Sequence, residues 1–296
     1  MRTRRILPWV FMAPGIALVF GVSFYPGFVG FTESLYKTEY LRRVRFVGFT
    51  NYAAFFTDPR AWTNVRNSLT YAAGSLAIVI PLGLAVAALL DQRFRFRGIL
   101  RAILILPWVV SQTITAMLWS WLLNPQFGPL PYALSVFVRG PLDVLGNSAT
   151  AMLVLILMNV WESYPYVAIL ALAALQAIPP EVLEAADVDG ATPWQRYAWI
   201  KLPLIAHALL IATITLSLLY LNMVTLIFVS TGGGPLGTTE VLSLRVFQEA
   251  FSFWNIGTAS ASAMIIFALN LLFSICYIRV IRGDRDRVAL ARGKAA

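Results

Sequence analysis

Six long apolar runs, separated by polar connections, constrain this chain more than any other feature of its sequence. An α-helix needs about 20 apolar residues to cross the hydrocarbon core of a bilayer, and every run is long enough. The interiors of the runs carry one acidic residue, Glu162. The runs cover residues 9–31, 69–90, 102–123, 149–176, 204–229 and 257–280.

The overall composition supports the same interpretation. Hydrophobic residues make up 59% of the chain and charged residues 12%, whereas soluble domains have roughly 45–50% apolar residues. We therefore predict an all-α, multi-pass membrane protein with about six transmembrane helices, which form a single domain over residues 1–296. The net charge of +9 does not indicate a nucleic-acid partner, because the basic residues lie mainly in the connections on one side of the predicted membrane.

The basic residues predict how the chain is oriented. If the N-terminus is cytoplasmic, most Lys and Arg residues fall in segments on the inner side, as the positive-inside rule requires. Arg42, Arg43 and Arg45 are exceptions, because they lie in the long outer segment 32–68. The aromatic content of that segment predicts a short helix along the membrane surface. We expect both termini to be cytoplasmic.

One connection, residues 177–202, is polar, rich in acids and unusually long. Pro180 and the acidic residues after it predict a short helix over 180–188, since Pro and carboxylates both favour a first helical turn. Gly190 can adopt the left-handed conformation that ends such a helix. Thr192, with Gln195 three residues later, predicts a capping box and a second helix to about Leu202.

This elbow has two possible interpretations. It can be a well-capped connector, or it can bind a partner. A connector between helices needs only about 2–8 residues, and a short helix in water needs a contact that offsets its ordering entropy. Both points favour partner binding.

The elbow also resembles the cytoplasmic signature of permease subunits of bacterial and archaeal ABC importers. The matching residues are Glu184-Ala185-Ala186, Gly190, Ile200 and Leu202-Pro203. Asp189-Gly190-Ala191 is similar to the carbohydrate branch, which serves maltose-type sugars, other oligosaccharides, polyols and glycerol-3-phosphate. Further landmarks of that branch are FVGFTNY at 46–52, RNSLTYA at 66–72, the stretch 96–128 and TGGGPLGTTE at 231–240.

The resemblance implies a set of partners and a location. These are a second permease subunit, two cytoplasmic ATP-binding subunits and an extracytoplasmic solute-binding protein, all at a bacterial or archaeal cytoplasmic membrane. It also implies that the elbow docks on an ATP-binding subunit. The docking residues would be Glu184, Ala185, Ala186, Asp189, Gly190, Leu202 and Pro203.

The sequence contains no motif for ATP hydrolysis. The phosphate-binding pattern G-x-x-x-x-G-K-[ST] is absent, so we expect ATP and magnesium to bind to partner subunits and this chain not to be an enzyme. One histidine, His207, and one cysteine, Cys276, predict neither a metal site nor a nucleophile pair.

Polar and aromatic residues inside the apolar runs are candidates for a substrate pathway. Polar groups are costly within a membrane and usually face a cavity or a neighbouring helix. The candidates are Asn159, Trp161, Glu162, Tyr166, Asn222, Thr225, Gln112 and Trp119. The Thr residues are also explained by hydrogen bonds between helices.

The nature of the cargo stays open at this point. Amide and carboxylate acceptors beside aromatic rings suit a sugar. The alternatives are sn-glycerol-3-phosphate or another small anion, a proton-coupled carrier with Glu162 as its proton site, and an enzyme that acts on lipid-linked substrates.

Overall fold

The computed structural model describes residues 3–92, 94–134 and 143–293. The α-helices in this part of the chain are α1 (Thr3–Val19), α2 (Tyr25–Ser34), α3 (Thr50–Thr57), α4 (Pro59–Asp91), α5 (Arg97–Val109), α6 (Gln112–Leu122), α7 (Pro129–Leu134), α8 (Ala151–Gln176), α9 (Pro180–Val188), α10 (Pro193–Gln195), α11 (Leu202–Leu221), α12 (Thr225–Ser230), α13 (Leu242–Phe247) and α14 (Ile256–Gly293). Three π-helical turns accompany them, at Phe20–Phe24, Arg196–Lys201 and Gln248–Ser252. Two strands, β1 (Tyr36–Glu39) and β2 (Arg42–Phe46), pair antiparallel.

Five helical stretches in the described residues are long and apolar enough to cross a membrane, and a bent helix pair raises the number to six. The five are Phe11–Ser34, Pro59–Asp91, Ala151–Gln176, Pro193–Leu221 and Ile256–Arg279. The predicted fold class, an all-α multi-pass membrane protein, is therefore confirmed.

Two of the apolar runs are broken rather than straight. Within 102–123, α5 and α6 meet at an angle of 98°. Val110 and Ser111 are extended at this break, and the Ser111 hydroxyl caps the new helix by accepting from the Ile114 amide. Within 204–229, α11 ends at Leu221 and α12 begins at Thr225. Asn222 and Thr225 are three residues apart in this apolar run, a spacing that predicts one shared helical face. The break separates them, so they do not lie on such a face.

The long segment 32–68 contains a helix, α3, and also a hairpin that we did not predict. Tyr40 has a φ of 54° in the turn between β1 and β2, and the sequence there lacks the Asn-Gly or Asp-Gly pair typical of tight hairpins. Part of the basic charge of this segment is balanced within it, because the Arg43 guanidinium pairs with Glu33 at 2.7 Å and lies 4.7 Å from the centre of the Tyr36 ring.

The chain divides into two compact units. One contains the residues up to Trp62 together with Arg245–Leu272. In this unit the Gly257 amide donates to the Thr38 hydroxyl at 2.7 Å. A Cβ atom on Gly257 would lie 2.2 Å from the Tyr36 carbonyl oxygen. The start of α14 and the hairpin thus approach too closely for any residue but glycine.

The second unit contains Thr63–Leu244 and the residues from Phe273 onwards. Its core lies among α4, α8 and α11, where Tyr71, Leu155, Leu216 and Tyr220 are almost fully buried. The Tyr220 hydroxyl lies 2.6 Å from Ser163 Oγ on α8. A hydrogen bond inside an apolar core is costly to break, so this pair orients α11 against α8.

The glycine-rich loop that follows α12 is held by α4 in the same unit. Asn67 Nδ2 donates to the carbonyls of Gly237 and Glu240 at 3.1 and 3.0 Å, and Asn64 Nδ2 also donates to Glu240. Both asparagines are buried. The side-chain amides of both asparagines therefore donate to carbonyls of a loop whose backbone is not helical.

Candidate functional site

The first half of the elbow folds as its sequence predicts. The helix α9 spans Pro180–Val188, and Gly190 follows with a φ of 78°. The Ala191 amide donates to the Ala186 carbonyl at 3.0 Å, and the Gly190 amide donates to the Asp187 carbonyl at 3.1 Å. These two bonds form a Schellman motif, which satisfies the last carbonyls of the helix. The predicted helix 180–188 and the turn at Gly190 are confirmed.

The second half of the elbow begins with the predicted capping box. The Gln195 amide donates to Thr192 Oγ1 at 3.3 Å, and the Thr192 amide donates to Gln195 Oε1 at 2.8 Å. This helix does not end near Leu202, as we had expected, but continues without a break to Leu221. The π-helical turn Arg196–Lys201 precedes Pro203 and accommodates a residue that has no amide proton to donate.

The surface of the elbow combines carboxylates with apolar side chains. Glu184, Ala185, Asp189 and Gly190 are exposed, whereas Ala186 is buried against its own chain. Val188 is 88% exposed and Trp194 is 73% exposed. Leu202 is half-buried and Pro203 is exposed on the helix that follows. Exposed apolar side chains beside polar ones are typical of an interaction surface.

One ion pair lies within the elbow, and another connects the elbow with α4. Arg196 pairs with Asp187 and so ties the two elbow helices together. Lys201 Nζ lies 2.8 Å from Asp91 Oδ2 at the end of α4. A cavity of ≈ 350 Å³ adjoins this contact. The end of the elbow therefore contacts α4 directly, a connection that the sequence does not predict because 110 residues separate the partners.

We expect the Lys201–Asp91 pair to contribute about 1 kcal/mol to stability, since both side chains are only about one-fifth exposed. Asp91→Asn and Lys201→Met should each lower the thermal unfolding midpoint in detergent. The double variant should lose less than the sum of the two, because each single change removes the same contact. Additive losses would show that the two side chains do not interact.

A second cavity lies at the break between α5 and α6. Its volume is ≈ 340 Å³, within the range of roughly 300–1,000 Å³ that small-molecule sites occupy. The break, α8 and the end of α11 all contribute to its wall. The lining residues are Trp108, Val109, Val110, Ser111, Gln112, Asn159, Glu162, Ser163, Leu219 and Met223.

Three of the predicted pathway residues meet in this cavity. Gln112 starts α6 at the helix break, while Asn159 and Glu162 lie one turn apart on α8. Glu162 is 8% exposed, and its Oε2 has no hydrogen-bond partner among the described residues. Ser163 also lines the wall, and its hydroxyl donates to the Asn159 carbonyl. Ser163 lies four residues after Asn159, so helical spacing could have identified it.

The predicted aromatic residues lie outside the lining. Tyr166 stacks on Trp108, with ring centres 5.1 Å apart. Trp161 packs edge-on against Trp119 at 5.7 Å. Tyr166 therefore supports a ring that does line the cavity, although Trp108 itself is not among the predicted pathway residues.

The remaining candidates, Asn222 and Thr225, do not line the cavity either. Asn222 is exposed, and its Nδ2 donates to the Leu218 carbonyl at 2.7 Å as α11 ends. Leu219 and Met223 occupy the cavity wall from this part of the chain. Among the described residues, no group of three or more His, Cys, Asp or Glu side chains is arranged to hold a metal ion.

Comparison with known proteins identifies the family. Residues 79–283 match the family described as binding-protein-dependent transport system inner membrane component. The chain is 33% identical over 281 residues to the trehalose/maltose transport system permease protein MalF of Thermococcus litoralis, covering 95% of each protein. It is 29% identical to the sn-glycerol-3-phosphate transport system permease protein UgpA of Agrobacterium fabrum, covering 94% of this chain and 95% of the relative.

A solved structure shows the same fold. The match is to a chain in the crystal structure of a bacterial alginate ABC transporter in complex with an alginate pentasaccharide-bound periplasmic protein. The TM-score is 0.80 at 22% identity, and the match covers 93% of both chains. The family match, the relatives and the helix arrangement agree with the resemblance seen in the elbow. The chain therefore belongs to the binding-protein-dependent transport system inner membrane components, the permease subunits of ABC importers.

Proposed function

We propose that this permease imports a sugar or a sugar-like solute through the cavity at the α5–α6 break. The observation that carries the proposal is the composition of the cavity wall, where Gln112, Asn159 and Glu162 lie beside the Trp108 ring. Amide and carboxylate oxygens accept hydrogen bonds from hydroxyl groups, and an indole ring packs against the apolar face of a sugar. The trehalose/maltose relative supports this cargo, and the UgpA relative supports sn-glycerol-3-phosphate as the second candidate.

The energy for transport would enter through the elbow. We place α9 on the cytoplasmic side, in a groove of an ATP-binding subunit, with Glu184, Ala185, Asp189 and Gly190 at the contact. The exposed side chain of Val188 would be buried there, which provides an apolar driving force of about 25 cal/mol per Å². ATP and magnesium would bind to the partner, and a second permease subunit would present an equivalent elbow.

Transport would then proceed by alternating access. ATP-driven closure of the two ATP-binding subunits brings the two elbows together. Because Lys201 contacts Asp91 at 2.8 Å, α4 moves with the elbow. The cavity opens outward and receives solute from the binding protein, and hydrolysis returns the subunits to the inward-facing state.

The proposal is tested by uptake into proteoliposomes that contain this chain, its partner permease and the ATP-binding subunits. The solute is first chosen by a thermal-shift panel on the binding protein encoded with the transporter. We expect accumulation of that solute only when ATP and the binding protein are both present. Uptake by the isolated chain that is driven by a proton gradient would instead identify a secondary carrier.

A further inference from the structure

The cavity at the α5–α6 break carries a single type of charge. Glu162 is the ionisable residue in its lining, and the structure shows no Lys, Arg or His among the described residues of that wall. The other polar side chains there are Ser111, Gln112, Asn159 and Ser163, which are neutral. A solute in this cavity therefore meets a carboxyl group, and no basic side chain among the described lining residues offsets its charge when it is ionised.

Two partly buried acids, Glu249 and Asp91, show what a structural carboxylate looks like in this protein. Glu249 Oε1 accepts from Arg245 Nε at 2.8 Å, and Glu249 Oε2 accepts from Ser262 at 3.1 Å. Asp91 pairs with Lys201. Both acids have a basic partner, as expected for charges removed from water. Glu162 Oε2 is buried without any partner in the described chain, so internal structure does not account for it.

The Ser163 hydroxyl does not donate a hydrogen bond to the Glu162 carboxylate either. The Ser163 hydroxyl donates to the Asn159 carbonyl and lies 2.6 Å from the Tyr220 hydroxyl. Its one proton is therefore used within α8. A mid-membrane carboxylate without a partner is costly, and the cost is offset if donors on a cargo complete its hydrogen bonds during transport.

We infer that Glu162 selects cargo by charge, so that the cavity accepts uncharged solutes rich in hydroxyl groups and excludes phosphorylated or sulfonated ones. The inference rests on the proposed function, because it takes the cavity as the cargo site. Of the two candidate cargoes, it favours a neutral sugar over sn-glycerol-3-phosphate. When Glu162 is ionised, repulsion between two like charges at 4 Å and an effective dielectric constant of about 20 corresponds to roughly a thousandfold in affinity. Water in an open cavity lowers this value, and we expect at least about tenfold.

The test compares neutral solutes with their own phosphates, so that charge is the main difference. The pairs are glycerol with sn-glycerol-3-phosphate, glucose with glucose 6-phosphate, and trehalose with trehalose 6-phosphate. Binding to the assembled transporter in nanodiscs is measured by saturation-transfer NMR, without the binding protein. In the wild type, the neutral member of at least one pair should bind at least about tenfold more tightly than its phosphate.

Variants of Glu162 identify the source of that preference. Glu162→Gln should reduce the preference for the neutral member by about tenfold, and Glu162→Lys should reverse it. Glu162→Gln keeps the size and shape of the side chain, so it serves if the Lys variant does not fold. Glu39→Gln is the matched control, because it removes the same charge from an exposed residue of β1.

Several results would overturn the inference. One is equal binding of a solute and its phosphate to the wild type. Another is a preference that Glu162→Gln leaves unchanged. A third is that no Glu162 variant changes the binding of any of the solutes. In either case Glu162 would be structural or would contact a partner subunit. Failure of the proposed function is distinct, because it appears as loss of ATP-driven uptake by the wild-type transporter whatever solute the cavity binds.

Discussion

Gly190→Val should reduce ATP-driven uptake by about tenfold or more, whereas Gly190→Asn should retain most of it. Gly190 has a φ of 78°, and no atom lies within 4 Å of a Cβ built there. Within this chain, a change at this position therefore acts through the backbone alone. Valine is strongly disfavoured at positive φ, and Asn tolerates it. A strained turn costs about 1–3 kcal/mol, which corresponds to roughly 5- to 150-fold in the population of the correct elbow.

Replacement of the whole helix α9 is a larger change that tests the same role of the elbow. Replacing residues 180–188 with a Gly/Ser linker of equal length should abolish uptake and stimulated ATP hydrolysis. The transmembrane helices should remain folded, because α9 has a single buried residue, Ala186. The other side chains that the linker removes are exposed or half-buried. Unfolding midpoints of the purified variants control for misfolding. Normal coupling in the linker variant would contradict the assigned role of the elbow.

Gly83→Ala should cause a large loss of stability, by about 1–3 kcal/mol or more, since overpacking a tight contact has costs of this size. A Cβ at position 83 would lie 2.5 Å from Val167 Cβ and 3.2 Å from the Ala168 amide nitrogen. The methyl group would therefore force α4 and α8 apart. Because α8 also carries Asn159 and Glu162, solute binding should weaken as well.

Gly98→Ala is the matched control for this change. Gly98 lies in the first turn of α5, is exposed, and has no atom within 4 Å of the point that an added methyl group would occupy. Alanine favours a helix over glycine by up to about 1 kcal/mol, so this variant should unfold at the same temperature or slightly higher. Thermal unfolding of both variants in detergent measures the difference. Equal midpoints would show that α4 and α8 do not pack closely at Gly83.

Local signals explain why the elbow could be predicted from the sequence. Pro180, Gly190 and the Thr192–Gln195 box each act within one or two turns of the backbone, and the structure contains all three features. The apolar runs predicted the fold class for a similar reason, because bilayer thickness sets the length of a membrane-spanning helix.

The parts that were not predicted depend on tertiary contacts. The breaks in the runs 102–123 and 204–229 remove Asn222 and Thr225 from the predicted helical face and bring Leu219 and Met223 to the cavity. Hydropathy does not distinguish a straight helix from a bent pair of the same composition. The Lys201–Asp91 contact likewise joins distant parts of the chain, and the hairpin lacks a recognisable turn sequence.

Site-directed crosslinking tests most directly whether the elbow is the docking site. Cys276 is the one cysteine in the chain, so Cys276→Ser provides a cysteine-free background. In that background Val188→Cys, at a position that is 88% exposed, carries a short photoactivated crosslinker within the assembled transporter. Leu236→Cys is the control, because residue 236 is 97% exposed and lies in the loop after α12, which a cytoplasmic N-terminus would place outside the cell. We predict a covalent product between position 188 and the ATP-binding subunit, and none from position 236. Equal products from both positions, or none from position 188, would contradict the account.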